Sequence, residues 1–270
     1  MQRSVLLYIK IILFLTIILF LITCTKEEGI IPTINIEKVN SGTDRNLYSV
    51  HFPSANTGYA GGTDGIVLKT NSGGDSWSVI RTDTTGFGHD VIAVYFTDNI
   101  TGILVEDNYD TIVYKKYLTT DGGTTWTTGD STLIDDIYEQ YLSVYPHKGA
   151  FNYNSNLGFE VIDMEGENLA GSVYIVVDSM ITDTVSTGVT YELYGVFFTD
   201  INNGYAVGNN SLIRTTDGGQ TWEWLRSQLG ADIGVTPDEY TRFYLRDLYC
   251  FDKDHGIAVG TEGVIINFYY

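Results

Sequence analysis

Thr215-Thr-Asp-Gly-Gly-Gln-Thr-Trp222 decides the fold, because it recurs. Thr119-Thr-Asp-Gly-Gly-Thr-Thr-Trp126 repeats it with the same spacing, and Thr70-Asn-Ser-Gly-Gly-Asp-Ser-Trp77 repeats it with Ser72 in the Asp position. Each segment reads as the tip of a β-hairpin. The Gly-Gly pair supplies the positive φ angles that a tight turn needs. The Asp carboxylate can accept hydrogen bonds from the turn's own amides. The Trp then offers a large flat surface for burial, expected between neighbouring units and stabilising by roughly 1.5–3 kcal/mol where burial is complete. Thr70, Gly74, Trp77, Thr119, Asp121, Gly123, Trp126, Thr215, Asp217, Gly219 and Trp222 are therefore expected to be turn and packing residues. A catalytic or metal-binding role for Asp121 or Asp217 is the less favoured alternative.

Upstream of each hairpin tip runs a longer unit: an apolar strand ending in Phe, a polar turn, then Gly and a second apolar strand. The pieces are Leu47 to Ala60, Val91 to Val105, Leu193 to Val207 and Leu248 to Val259, with a degenerate copy from about Ala150 to Val161. The glycines after the turn are Gly58, Gly102, Gly158, Gly204 and Gly256, spaced by 44, 56, 46 and 52 residues. That is the period of a four-stranded propeller blade. The chain is thus expected to be all-β, a β-propeller of five four-stranded antiparallel blades. The fifth unit stops at Tyr270, one strand short. Thr33 to Asn40 alternates apolar and polar residues just before the first unit. This segment is predicted to close the last blade beside residues 264–268, since an open ring leaves two raw sheet edges.

Residues 1–23 read as a leader rather than as fold. Arg3 and Lys10 are basic, and Ile11 to Thr23 form a stretch of low polarity that suits a secretory signal and is short for a spanning helix. A plain N-terminal membrane anchor is the alternative. Leu21-Ile22-Thr23-Cys24 resembles the lipobox of bacterial lipoproteins, which implies acylation of Cys24. Cys24-Thr-Lys-Glu-Glu28 is also similar to a surface-export signal of such lipoproteins. The expected division is a signal peptide at 1–23, a lipidated Cys and tether at 24–32, and a propeller at 33–270. Localisation follows as an exported, outer-membrane lipoprotein, exposed at the cell surface and attached to the membrane by lipid alone. Cys250 then has no partner for a disulfide, and its apolar run Leu248-Tyr-Cys-Phe251 marks it as a small buried hydrophobe.

The three hairpin tips look like the Asp-box (BNR repeat), written Ser/Thr-x-Asp-x-Gly-x-Thr-Trp. The longer unit most resembles the photosystem II stability/assembly factor-like family: a strand ending in Phe, Gly-Tyr-Ala-x-Gly, then the box. Phe198 to Trp222 carries nearly all of it, Phe52 to Trp77 most, and Phe251 to Val264 the first half. The resemblance spans about residues 33–270 and is thinnest at 130–190. It implies a propeller and a non-enzymatic protein-binding or assembly role. This chain departs from those factors, which are longer, usually seven-bladed and bind through a basic patch.

Composition narrows the partners. The net charge is -19, with 15 basic residues against 34 acids, so nucleic acid is excluded as a direct partner. A sialidase would need an arginine triad and an Arg-Ile-Pro motif, and Ile30-Ile31-Pro32 lacks the Arg. His51, His89, His147 and His255 show no metal-ligand spacing. No catalytic residue, metal or cofactor is expected. Lengthened loops are expected at 106–110, 128–148, 163–168 and 226–243, opening on one face. They would gather a binding rim of Asp107, Tyr109, Asp110, Asp163, Glu165, Glu167 and Tyr240, with Asp135, Asp136, Tyr138, Glu139 and Tyr141 beside it. Loop tyrosines often anchor protein or sugar contacts, and Asp107 with Asp110 could help hold Ca²⁺. A merely solvated acidic face is the alternative. The expected function is a monomeric, envelope-anchored scaffold for an unknown protein or glycan. The alternative is a glycan-binding or glycoside-hydrolase-like propeller.

Overall fold

The computed structural model describes residues 34–83, 89–107, 114–128, 132–144, 149–152, 157–160, 172–177, 180–189, 192–226, 229 and 244–270. The leader, Cys24 and the tether lie outside these residues. Among the described residues no helix is long and apolar enough to cross a membrane.

The strands are β1 (Asn35–Val39), β2 (Leu47–His51), β3 (Gly58–Gly62), β4 (Val67–Thr70), β5 (Ser78–Arg81), β6 (Asp90–Phe96), β7 (Gly102–Asp107), β8 (Lys115–Thr119), β9 (Thr127–Thr128), β10 (Gly149–Asn152), β11 (Leu157–Glu160), β12 (Ser172–Val177), β13 (Met180–Ser186), β14 (Leu193–Phe198), β15 (Gly204–Gly208), β16 (Ser211–Thr215), β17 (Glu223–Arg226), β18 (Leu245–Asp252), β19 (His255–Gly260) and β20 (Ile265–Tyr269). Among the described residues they form five four-stranded antiparallel sheets: β2 to β5, β6 to β9, β10 to β13, β14 to β17, and β18-β19-β20-β1. The degenerate third copy is therefore a full sheet, with Phe151 opposite Gly158. The last sheet is closed by β1, which pairs β20 from Asn35↔Tyr269 to Val39↔Ile265, as the alternation at 33–40 predicts.

The first strand of each sheet lies innermost. β18 packs on β2, β2 on β6, β10 on β14 and β14 on β18. The core sits between sheets rather than inside one. Leu47 and Val50 bury against Ile257, Val259 and Ile265 of the last sheet, while Tyr59 and Val67 bury against Val91, Val94 and Leu104 of the next. The tyrosine of Gly-Tyr-Ala adds a polar clasp. Tyr59 Oη donates to the Asn99 carbonyl (3.0 Å) and Tyr205 Oη to the Lys253 carbonyl (2.5 Å), each on the neighbouring sheet.

Phe, Gly and Trp of the repeat form one packing unit. A Cβ on Gly58, Gly102 or Gly204 would overlap the ring of Phe52, Phe96 or Phe198. Trp77, Trp126 and Trp222 stand edge-on to those same rings at 5.8, 6.1 and 6.0 Å. Each tryptophan packs against a cluster that draws on two sheets, as expected for burial between units, but it is half-buried rather than fully buried and is braced on the Phe of its own sheet. The last sheet solves the same problem differently. Cys250 stands opposite Gly256, where the Phe of other units stands, and Phe268 occupies the position of the hairpin-tip Thr. The Phe268 ring fills the space above Gly256. Both residues are buried, and burial pushes the Cys250 thiol pKa up, as its reading as a small hydrophobe requires.

The segment expected as a long loop at 128–148 contains a helix, α1 (Thr132–Val144). Ile134, Ile137, Tyr138 and Tyr141 follow the i, i+3, i+4, i+7 spacing of a helical face, a signal that the blade period overshadowed. Ile134 and Ile137 are buried, and Ile137 packs with Tyr95 and Ile103. The helix touches β7, β8 and β10 and so fills the junction between the second and third sheets.

The Cys250/Phe268 exchange can be tested by a double-mutant cycle. Cys250→Phe alone should overpack the site and cost about 1–3 kcal/mol, and Phe268→Thr alone should leave a cavity costing about 3–5 kcal/mol. The double variant restores the arrangement of the other units and should recover more than half of the summed loss in urea denaturation. Additive losses would show that the two positions do not share one space.

Candidate binding surface

The hairpin-tip residues are engaged in their own turns. Thr119 Oγ1 accepts from Gly123 N (2.9 Å) and donates to Asp121 Oδ1 (2.8 Å). Asp121 also accepts from Thr125 N (2.9 Å) and Thr125 Oγ1 (2.7 Å), and Trp126 Nε1 donates to the Gly123 carbonyl (3.1 Å). Thr215, Asp217, Gly219 and Trp222 repeat every one of these bonds. In the first tip Ser72 Oγ accepts from Ser76 N (3.0 Å), so the hydroxyl takes part of the Asp role, while Thr70, Gly74 and Trp77 keep theirs. Hydrogen bonds from Thr125 lower the Asp121 pKa to about 2. A carboxylate held this way is a turn staple.

Of the expected rim, Asp107 ends β7 and stands opposite Asp90. Tyr109, Asp110, Asp163, Glu165, Glu167 and Tyr240 lie outside the described residues. Asp135 and Asp136 are exposed on α1 rather than on a loop. Asp135 bonds Lys116 Nζ (3.2 Å), whose ammonium also lies over the Tyr138 ring at 4.0 Å. Lys116 and Asp135, together with Tyr114, Lys115, Tyr117, Thr128 and Ile134, line a surface pocket of about 400 Å³. Among the described residues no group of three or more His, Cys, Asp or Glu could hold a metal ion.

The innermost strands carry the features that sequence reasoning missed. β2, β6, β14 and β18 each break register at their start, between Leu47 and Ser49, Val91 and Ala93, Leu193 and Gly195, and Leu245 and Asp247. The residue left over at each β-bulge is Tyr48, Ile92, Tyr194 or Arg246. Bulges re-aim side chains, and these four sit at one level of the four innermost strands, at the end where one sheet connects to the next. Their legible trace is the lack of alternation at the start of each unit. Ile92 is exposed, and Tyr48 and Arg246 are half-exposed.

One level deeper, the free inner edges of β2 and β6 are capped by the preceding sheet. Val50 N donates to Asp247 Oδ2 (2.9 Å), Val94 N to Ser49 Oγ (3.2 Å) and Phe96 N to His51 Nδ1 (3.3 Å). Beside these caps runs a chain of rings from four successive inner strands: Phe197 to Tyr249 at 5.1 Å, Tyr249 to His51 at 5.9 Å, and His51 to Tyr95 at 4.7 Å. Burial lowers the His51 pKa to about 3, so the imidazole is neutral and able to accept. The buried acids are also engaged. Glu106 pairs Arg81 at 2.5 Å, and Asp90 accepts from Asp64 N at 3.1 Å.

Five four-stranded antiparallel sheets packed through their first strands define an all-β propeller. No family model and no curated protein matches the chain. Among solved structures it is similar to YCF48 bound to a D1 peptide, with a TM-score of 0.56 and 13% identity over 88% of this chain and 95% of that one. YCF48 from Cyanidioschyzon merolae gives a TM-score of 0.48 at 16% identity over 87% and 98%. The WD40 propeller domain of Doa1 gives 0.38 at 9% over 87% and 97%. The first of these is a likeness of fold, and it is to the propeller.

The cap at His51 makes stability depend on pH. The folded pKa of about 3 lies below the unfolded value of about 6.5. Its contribution is complete above 6.5 and is lost as pH falls from 6.5 towards 3. Between pH 6.5 and 5 the loss should reach about 2 kcal/mol. His51→Asn, which can still accept from Phe96 N, should remove that part of the slope in urea titrations at pH 7 and pH 5. An unchanged slope would show that His51 is not its source.

Proposed function

We propose that this chain is a non-enzymatic propeller that binds a protein partner on the face where its sheets interconnect, held at the cell envelope by a lipid on Cys24. The carrying observation is the set of bulged residues at one level of the innermost strands: Tyr48, Ile92 and Arg246, exposed or half-exposed, with Tyr194 buried against Arg246. Tyrosine and arginine are the residue types that dominate protein interfaces. The likeness to YCF48, a propeller solved with a peptide bound, supports the same reading. A glycan-acting propeller would need two convergent carboxylates near the axis. The engagement of Asp90 and Glu106 in backbone and arginine contacts favours the binding reading over that alternative. The similarity of residues 21–24 to a lipobox supports the tether.

A photo-crosslinking residue at Ile92 should capture a defined protein from intact cells. The same residue at Ile201, exposed in the turn between β14 and β15, should not. Equal capture at both sites, or turnover of a fluorogenic glycoside by the purified chain, would sink the proposal. The tether is tested separately. Cys24→Ala should move the protein from the washed membrane fraction to the soluble one, and retention in the membrane would rule out lipid anchoring.

A further inference from the structure

Four arginines have described side chains, and three of them face an acid. Arg45 Nε lies 3.6 Å from Asp64, Arg81 Nη2 2.5 Å from Glu106, and Arg214 Nη2 4.0 Å from Asp254. Arg246 has no carboxylate within ion-pair distance among the described residues. It is held instead by two rings, its guanidinium carbon 4.4 Å from the Tyr194 centroid and 4.8 Å from that of Tyr244. The rings stand at 86° to each other, 5.6 Å apart, so they form a corner. Both are fixed. Tyr194 Oη donates to Glu192 Oε2 (3.0 Å), while Tyr244 bridges Asn209 and its N–H donates to Thr261 Oγ1 (3.2 Å). Arg246 Nε is buried and has no acceptor among the described residues. A buried donor without an acceptor is costly, so a site that keeps one has something to gain from a ligand oxygen.

We propose that Arg246, set in the Tyr194–Tyr244 corner, is a receptor for a carboxylate of a bound peptide. This inference rests on the protein-binding reading above. A guanidinium held by ring faces keeps its planar edge for two parallel hydrogen bonds, the pattern that a carboxylate matches. A phosphate fits less well: its extra charge meets Glu192 nearby and a chain of net charge -19. The neighbouring acid cannot satisfy Arg246 itself, because Asp247 bonds Val50 N and Leu248 N (2.9 Å each). The bulge in β18 turns Arg246 and Asp247 to different tasks: Asp247 caps the next strand, and Arg246 lies against the Tyr194 and Tyr244 rings.

The test uses the solubilised full chain and the Nε–H resonance of Arg246, assigned by its loss in Arg246→Gln. The probes are N-acetyl-triglycine, its C-terminal amide and galacturonate. The free acid should shift the resonance saturably and the amide should not. Arg246→Lys keeps the charge but loses the fork, and should bind the acid about tenfold more weakly or worse while melting at the same temperature. No saturable shift, or an equal shift with the amide, would overturn the carboxylate site. A shift with galacturonate alone would overturn the peptide assignment. If capture at Ile92 persists while the acid probe fails, this site falls and the protein-binding reading stands. If capture fails while the acid binds, the reverse holds.

Discussion

The antiparallel ladder between β1 and β20 is the constraint on which the rest depends. Among the described residues the sheets bury their faces against a neighbouring sheet, or in the second sheet also against the helix, rather than against a core of their own. If the ladder opened, β20 would become a raw edge, and the faces carrying Ile257, Val259 and Ile265 on one side and Leu47 and Val50 on the other would lose their hold. The two ends of the propeller sequence are thus joined by hydrogen bonds within one sheet. Ile34, buried at the start of β1, adds an apolar anchor, and Tyr269 Oη donates to Glu37 Oε1 at 2.6 Å across the same pair.

Within that ring the repeat works as a packing device. Phe at the end of the first strand, Gly at the start of the second and Trp after the hairpin tip occupy one small space. The Gly is required because the Phe ring lies where its Cβ would be. The last sheet shows that this space, not the residue order, is what must be kept. A thiol replaces the first ring, and Phe268 supplies a ring from another strand. Tight interiors accept such volume-conserving exchanges and resist single changes of size.

Polar chemistry follows the same economy. The tip carboxylates close their own turns, Asp247, Ser49 and His51 cap inner-strand amides, and Glu106 holds Arg81 between two sheets. Most of the distinctive polar residues therefore serve the scaffold. What remains for recognition lies at the bulges, where strict pairing lapses and Tyr48, Ile92, Tyr194 and Arg246 escape the alternation that would have buried or exposed them by rule.

The fold was legible because its signals are local and repeated. Gly-Gly turns, the spacing of Gly58, Gly102, Gly158, Gly204 and Gly256, and the alternation at 33–40 each report a short-range constraint, and together they imply the sheets and their closure. The helix at 132–144 was legible in the spacing of its apolar residues, although the blade period hid it. The corner around Arg246 was not. Tyr194 and Arg246 are 52 residues apart, and nothing in either strand says that a bulge will bring them together. Sequence determined which residues turn and which pack, because backbone sterics and periodicity act over a few residues. Only the tertiary structure decided which side chains from different blades meet, because that depends on how the ring brings one blade's first strand against the next.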